Sequence, residues 1–238
     1  MMQIVCWLWR PELAYRSQFG VEHVNTLRRM IARHYPHPHR FNCITDQTEG
    51  FDPEVRVIPL WSDHGKRESI YGPGTPSCYR RLRAFSSEMK ELLGPRFISI
   101  DLDVVICGDV TPVFHRKEEF IIWGATARRT PYNGSLWMMN AGAREKVWTR
   151  FDENPEKAVV RARGAGFYGS DQAWMCYALG PNEAKWTEMD GVYSYRMHVK
   201  PKAGAMPKDA RIVFFEGHYD PWNPATQTTA PWIKDFYK

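Results

Sequence analysis

The sequence lacks a C-x-x-C pair, an internal repeat, a low-complexity tract and any apolar run near the length of a membrane span. Its five cysteines (Cys6, Cys43, Cys78, Cys107 and Cys176) are odd in number and far apart. Neither a disulfide framework nor a thiolate zinc site is supported, so a reducing cytoplasm is the expected setting. The opening MMQIVCWLWRP has no basic stretch ahead of its short apolar run. No secretory leader is expected, and without about 18 consecutive apolar residues no transmembrane segment is expected either. A P-loop or comparable Gly-rich phosphate cradle is also missing, which ranks nucleotidyl- or phosphoryl-transfer chemistry last among enzyme readings.

What is present fits a folded α/β protein. At 238 residues, with 43% hydrophobic and 25% charged residues, the chain suits one domain with a sizeable core and is not intrinsically disordered. Ten Trp, eleven Tyr and twelve Phe exceed what a minimal core needs, and some are expected to line a pocket for rings or sugars. A net charge of +5 mildly favours anionic partners without choosing among nucleotides, nucleic acid and acidic membranes.

The periodicity predicts a β-α-β-β start: strand Gln3 to Trp9, a helix through Val21, Val24, Leu27 and Ile31 ending before Pro36, then strands Phe41 to Thr45 and Val55 to Leu60. Residues 61–75 read as a long loop of the kind that covers a site. Tyr79, Leu82, Phe85, Met89 and Leu92 predict one helix stopped by Gly94-Pro95, and Phe97 to Ile100 a buried strand. Further strands are expected near Phe120 to Trp123, Ser135 to Asn140, Val192 to Arg196 and Arg211 to Phe215. Helices are expected near Arg144 to Phe151 and Asp171 to Leu179, with a tail from Pro221 to Lys238.

Asp101 and Asp103 stand at the carboxyl end of the Phe97 strand, where open α/β sheets form their ligand crevice. Two residues apart on an extended chain, both carboxylates would share one side. Such a pair repels unless a proton or cation intervenes, and Mg²⁺ or Mn²⁺ with oxygen ligands is the usual partner. Acid-x-acid spacing is weak by itself, since Asp52-Pro53-Glu54 shows it in a turn. The apolar residues on both sides, Phe97 to Ile100 and Val104 to Ile106, set Asp101 and Asp103 apart, because charge in that setting is costly without a task.

The segment FISIDLDVVICGDVTPVF resembles the D-x-D signature of GT-A fold glycosyltransferases, most of all glycosyltransferase family 8 and its relatives. Tyr79-Arg80-Arg81-Leu82, Tyr132-Asn133-Gly134-Ser135-Leu136, Gly169-Ser170-Asp171-Gln172 and Gly217-His218-Tyr219-Asp220-Pro221-Trp222 resemble further family motifs, in family order. The resemblance implies a single GT-A-like α/β domain over 1–238 with a mixed central sheet. Its Rossmann-like nucleotide-binding half would be 1–110, ending in the D-x-D, and 111–238 would form the acceptor half and tail. The implied activity is metal-dependent, retaining transfer of a sugar from a nucleotide sugar, UDP-linked first, to an acceptor hydroxyl.

By the same resemblance, Asp101 and Asp103 would hold Mn²⁺ or Mg²⁺ against the donor diphosphate, with Leu102 between them beside the nucleotide. Trp7, Leu8 and Trp9 would contact the nucleotide, with core packing an equal alternative for the tryptophans, and Tyr15 would stack on the base. Arg81 would contact the donor phosphates or sugar, whereas Arg80 and Arg83 read as a solvated helix face. Asn133 and Ser135 would line the sugar pocket, Asp171 would bind sugar hydroxyls and Gln172 would sit near the anomeric carbon. The alternative for Asp171 is an ordinary place at a helix start. No paired-carboxylate nucleophile is evident, so a front-face route assisted by the leaving phosphate is expected.

Two departures mark the closing motif. Glu216 stands where the family has a metal-binding His, and it is assigned as the third ligand. Asp220 stands where the family has the Lys that neutralises the departing diphosphate, leaving His218, or Arg81 with the metal, to do so. The acceptor expectation covers a glycan, a lipid-linked saccharide or DNA bearing a hydroxylated base. The alternative function is a non-catalytic glycan- or nucleic-acid-binding module on the same scaffold. His34, His37 and His39 read as an exposed loop rather than a metal site, Cys176 as core, and Arg128-Arg129 with Arg161, Arg163, Lys200 and Lys202 as either an acceptor-side basic surface or scattered solubility charges.

Overall fold

A computed structural model of the chain describes residues 1–10, 19–67, 77–124 and 130–238. Tyr15 and the Arg128-Arg129 pair lie outside the described residues. The strands are β1 (Met2–Leu8), β2 (His39–Thr45), β3 (Val55–Pro59), β4 (Arg96–Ile100), β5 (Val104–Ile106), β6 (Phe120–Gly124), β7 (Tyr132–Asn140), β8 (Ala184–Trp186), β9 (Val192–Ser194) and β10 (Ile212–Phe214). The α-helices are α1 (Val21–His34), α2 (Met89–Leu93), α3 (Thr111–Phe114), α4 (Lys146–Glu153), α5 (Pro155–Gly164), α6 (Asp171–Leu179), α7 (Pro224–Thr229) and α8 (Ile233–Phe236).

Seven strands form one mixed sheet in the order β3-β2-β1-β4-β7-β6-β8, and β5-β10-β9 form a second, smaller one. β1 runs parallel to β2 and β4, and β2 to β3, as the expected Rossmann-like first half requires. β7 lies antiparallel to β4 and β6, making the sheet mixed. Side chains alternate along β1: Ile4, Cys6 and Leu8 enter the core with Val24, Leu27 and Ile31 of α1, while Val5 and Trp7 enter the opposite one with Tyr79, Leu82, Phe151 and Trp174. Both faces of the sheet are covered, which is why its strands read as continuous apolar runs instead of alternating ones.

The expected elements of the first hundred residues are present, with one correction. The helix predicted through Leu92 is two pieces. A 3₁₀ segment, Tyr79–Phe85, ends at Ser86, whose backbone is extended (φ −67°, ψ 146°), and α2 follows. Ser86 Oγ accepts from the Glu88 amide (3.1 Å) and Ser87 Oγ donates to Glu145 (2.7 Å). These short hydroxyl side chains draw bonds away from a continuous helix.

The second half holds elements that periodicity did not reveal. Helix α5 is started by Asn154, whose side chain accepts from the Lys157 amide (2.9 Å), and by Pro155 in its first turn. β5 and β8 are only three residues each. The strand expected to reach Arg196 stops at Ser194, and residues Tyr195–Val199 turn helically beneath a hydrogen bond from the Met197 amide to Ser194 Oγ (3.1 Å). The tail forms α7 and α8 and ties back to α1, where Arg33 donates to the carbonyls of Lys238 (2.7 Å) and Phe236 (2.5 Å). Gly204 permits that docking: it sits at φ +80°, and a Cβ there would fall 1.9 Å from the Thr229 carbonyl oxygen.

Two side readings resolve here. Cys176 is core, 1% exposed. The His34–His39 stretch is less of a loop than expected: β2 begins at His39, and Tyr35 is buried among His37, His39 and His115, donating to or accepting from His115 Nε2 at 3.0 Å.

Candidate active site

The acid pair lies at the seam of the two sheets. The large sheet's ladder runs one residue beyond β4, with the Asp101 amide donating to the Ser135 carbonyl (2.9 Å). The small sheet's ladder begins one residue before β5, with the Asp103 carbonyl accepting from the Phe215 amide (2.8 Å). Leu102 fills the core between them at 4% exposure. Residues 101–103 therefore make a bend where an extended strand was expected, and the Asp101 charge still acts on Asp103 across it. They are anchored to different sheets because the backbone changes sheet at this point.

Each acid meets a different environment. Asp103 is pushed well above the usual carboxylate range by burial and then by the charges of Asp101, Glu216 and Asp220. Glu216 follows β10, and its Oε2 accepts from the buried Ser194 hydroxyl (2.7 Å). Asp101 pairs with Arg81 Nη1. The same guanidinium reaches Asp171 Oδ2 through Nε (2.8 Å) and Nη2 (2.6 Å). Burial by itself would lower the Arg81 pKa, but Asp101 and Asp171 outweigh it and hold the group firmly cationic.

Asp171 is 4% exposed at the start of α6, and the Ser170 hydroxyl donates to its other oxygen (3.2 Å). Next to it, Gln172 Oε1 accepts from the Gly134 amide (3.1 Å). Gly134 lies where the β6–β7 register jumps, Ile122 facing Trp137 but Trp123 facing Asn133. A Cβ at Gly134 would meet Met175 Cε at 2.8 Å and Arg81 Nη2 at 3.5 Å, so glycine lets the bulge approach α6. Asn133 closes this turn through its own side chain, accepting from the Ser135 amide (2.9 Å). Arg81, Asp101, Asp171, Gln172, Asn133 and Ser135 thus form one connected network, bordered by Asp103 and Glu216.

The other expected residues are placed unevenly. Trp7 and Leu8 are buried in the two cores, and the Trp7 indole N–H donates to Ser99 Oγ (2.9 Å). Only Trp9 of the three is half-buried, with the Arg80 guanidinium over its ring at 5.4 Å. Arg80 and Arg83 are thus not a bare solvated face: the Arg80 carbonyl accepts from the Trp61 indole (2.6 Å), and Arg83 pairs with Asp63 (2.7 Å) and Glu88 (3.0 Å). His218 is exposed. Sequence reasoning did not single out Ser170 and Ser194, which orient Asp171 and Glu216. Lys200 beside the Tyr219 ring (4.5 Å) was noted only as surface charge. Serine and lysine are too common on a chain to carry such a signal without a fold.

Asp101, Asp103 and Glu216 offer only oxygen donors, the set that suits Mn²⁺ or Mg²⁺. Among the described residues no three His, Cys, Asp or Glu side chains are gathered into a ready-formed metal site. The upward push on Asp103 by three neighbouring acids is nonetheless the electrostatic condition that a divalent cation relieves. The donor chemistry fits.

No protein-family model matches the sequence, and no curated protein matches it. Solved structures do match its fold. The galactosyltransferase LgtC, in complex with donor and acceptor sugar analogues, superposes with a TM-score of 0.63 at 10% identity, over 99% of this chain and 96% of that one. The glycosyltransferase GlyE of Streptococcus pneumoniae TIGR4, in its apo form, gives 0.60 at 10% identity over 93% of this chain and 56% of that one. The bifunctional glycosyltransferase WbbM gives 0.56 at 10% identity over 98% and 50%. The chain spans about half the length of the latter two. No helix among the described residues is long and apolar enough to cross a membrane. The mixed α/β architecture with its seven-stranded central sheet is the GT-A fold of these glycosyltransferases.

Proposed function

We propose that the protein is a retaining glycosyltransferase that moves a sugar from a nucleotide donor, UDP-linked first, to an acceptor hydroxyl. One observation carries the reading: in a GT-A fold, Arg81 joins Asp101 at the sheet seam, two residues from Asp103, to Asp171 at the head of α6, where the neighbouring Gln172 accepts from the Gly134 amide. Asp101, Asp103 and Glu216 would hold the Mn²⁺ or Mg²⁺. The cation supplies Lewis-acid stabilisation of the departing diphosphate.

The chain's own groups then divide the work. Arg81 carries fixed positive charge beside the donor phosphates. Asp171, oriented by Arg81 and Ser170, accepts hydrogen bonds from donor-sugar hydroxyls. Gln172, with its carbonyl oxygen anchored on the Gly134 amide, offers its amide N–H groups near the anomeric carbon. Asn133 and Ser135 border the sugar, and Trp9 borders the nucleotide above the buried Trp7 and Leu8. Transfer proceeds on the front face: the acceptor oxygen forms the new bond as the bond to the diphosphate breaks, and the hydroxyl proton passes to the leaving phosphate. Positioning and charge stabilisation are what this route needs from the protein.

The test is calorimetric titration of UDP into the protein with Mn²⁺ and again with chelator, repeated on Asp103→Asn. Metal-dependent binding that the substitution abolishes supports the reading, with UDP release from UDP-sugars as the next measurement. Absence of UDP binding under every condition overturns the UDP assignment.

A further inference from the structure

Away from the carboxylate network, a cleft of about 930 Å³ opens between the 61–67 loop and α5, lined by Ser62, His64, Gly65, Lys66, Arg67, Glu156, Val159 and Val160. Three of these side chains are basic and one is acidic. Arg67 gives Nη2 to Glu156 (2.8 Å), but its Nε is buried without a hydrogen-bond partner. The Arg67 side chain as a whole stays 25% exposed at the cleft, where an anion can reach its guanidinium. Lys66 is exposed beside it.

The loop is shaped at some cost to hold this wall. His64 adopts φ +54°, a region that non-glycine residues seldom occupy. It is fixed there by Asp152 (3.1 Å) and by the rings of Phe151 (5.0 Å) and Trp148 (5.6 Å). Opposite the basic wall, Val159 and Val160 give an apolar surface, and Val160 is 69% exposed. The 61–67 loop also packs toward the end of β1. Gly65 lies against Arg80, where a Cβ would fall 1.8 Å from Nη2, and Arg80 covers Trp9 at the end of β1.

We infer that this cleft binds an anionic saccharide, with its carboxylate or phosphate on Lys66 and Arg67 and its apolar ring face on Val159 and Val160. Resting on the transferase reading, it makes the cleft an outlying acceptor subsite and the acceptor an acidic sugar. Planar guanidinium and ammonium groups suit such an anion, and the valines separate a sugar ligand from a bare one.

The experiment follows amide NMR shifts of Gly65 and Lys66 on titration with glucose 6-phosphate, glucose and inorganic phosphate, with UDP and Mn²⁺ titrated in parallel. Lys66→Glu and Val160→Asp both alter exposed side chains, so folding is preserved. Each is expected to weaken glucose 6-phosphate binding about tenfold, the scale of one charge-assisted contact, and to leave UDP binding unchanged. Unaltered glucose 6-phosphate binding in both variants overturns the inference. So does equal binding of glucose, equal binding of phosphate alone, or displacement of the probe by a DNA oligonucleotide at lower concentration. Glucose 6-phosphate binding without any UDP binding overturns the UDP assignment and leaves the cleft standing, whereas UDP binding without glucose 6-phosphate binding does the reverse.

Discussion

Arg81→Leu tests the electrostatic arrangement of the network most directly. The Arg81 side chain is 10% exposed and that of Asp171 5%, so this pair is shielded from water. Asp101, at 23%, is only partly so. Removing the guanidinium leaves the Asp171 carboxylate buried with the Ser170 hydroxyl as its remaining side-chain donor. Breaking a buried pair from one side costs about 3–5 kcal/mol. At roughly 2–4 °C per kcal/mol for a chain of this size, the melting temperature falls by about 6–20 °C. Urea unfolding followed by circular dichroism reads the free energy. Adding Asp171→Asn to the variant removes the stranded charge and recovers a large part of the loss, which a double-mutant cycle quantifies. A single-variant loss below about 1 kcal/mol, the figure for an exposed ion pair, refutes the argument.

Other expectations follow from the same structure. Trp7→Phe leaves the buried Ser99 hydroxyl without its indole donor and lowers stability by about 1–2 kcal/mol in urea unfolding, part of which Ser99→Ala restores. Gly204→Ala drives a methyl into the Thr229 carbonyl at positive φ and costs about 2–4 kcal/mol, read as a lower melting temperature. His23 is buried, which lowers its pKa below 6.5, with the charges of Glu22 and Asp220 opposing. Its folded form resists protonation, so its contribution to stability is full above about pH 6.5 and is lost as pH falls toward the folded pKa. Denaturant midpoints at pH 7.5 and pH 5 give the slope, and His23→Gln flattens it.

The parallel half of the sheet was legible because strands covered on both faces leave apolar runs, unbroken in Ile4 to Leu8 and interrupted only by Ser99 in Phe97 to Ile100. Helix α1 was legible because Val24, Leu27 and Ile31 recur on one face. The split at Ser86 was hidden because the apolar spacing continues through it. β5 merged with the acid segment because three residues are too few to show a period, and α5 escaped because its buried face is two alanines, Ala158 and Ala162. At the site, Asp101, Asp171 and Gln172 were legible as motif residues. That one guanidinium joins two of them was not, since residues 81, 101 and 171 meet only through the fold. Similarly, the burial of Trp7 and Leu8 depends on which face of β1 each occupies and what covers it.

The placement of the acid bend ties geometry to motion. The Asp101 backbone is a rung of the large sheet and the Asp103 backbone a rung of the small one, with Glu216 just beyond the strand that Asp103 pairs. Their separation is therefore a gauge of how the two sheets sit against each other, with Leu102 as the short hinge pin. A group that draws Asp101, Asp103 and Glu216 together pulls the sheets together by the same act. Conversely, a substitution in the packing between the sheets, far from any charge, retunes the spacing of the carboxylates.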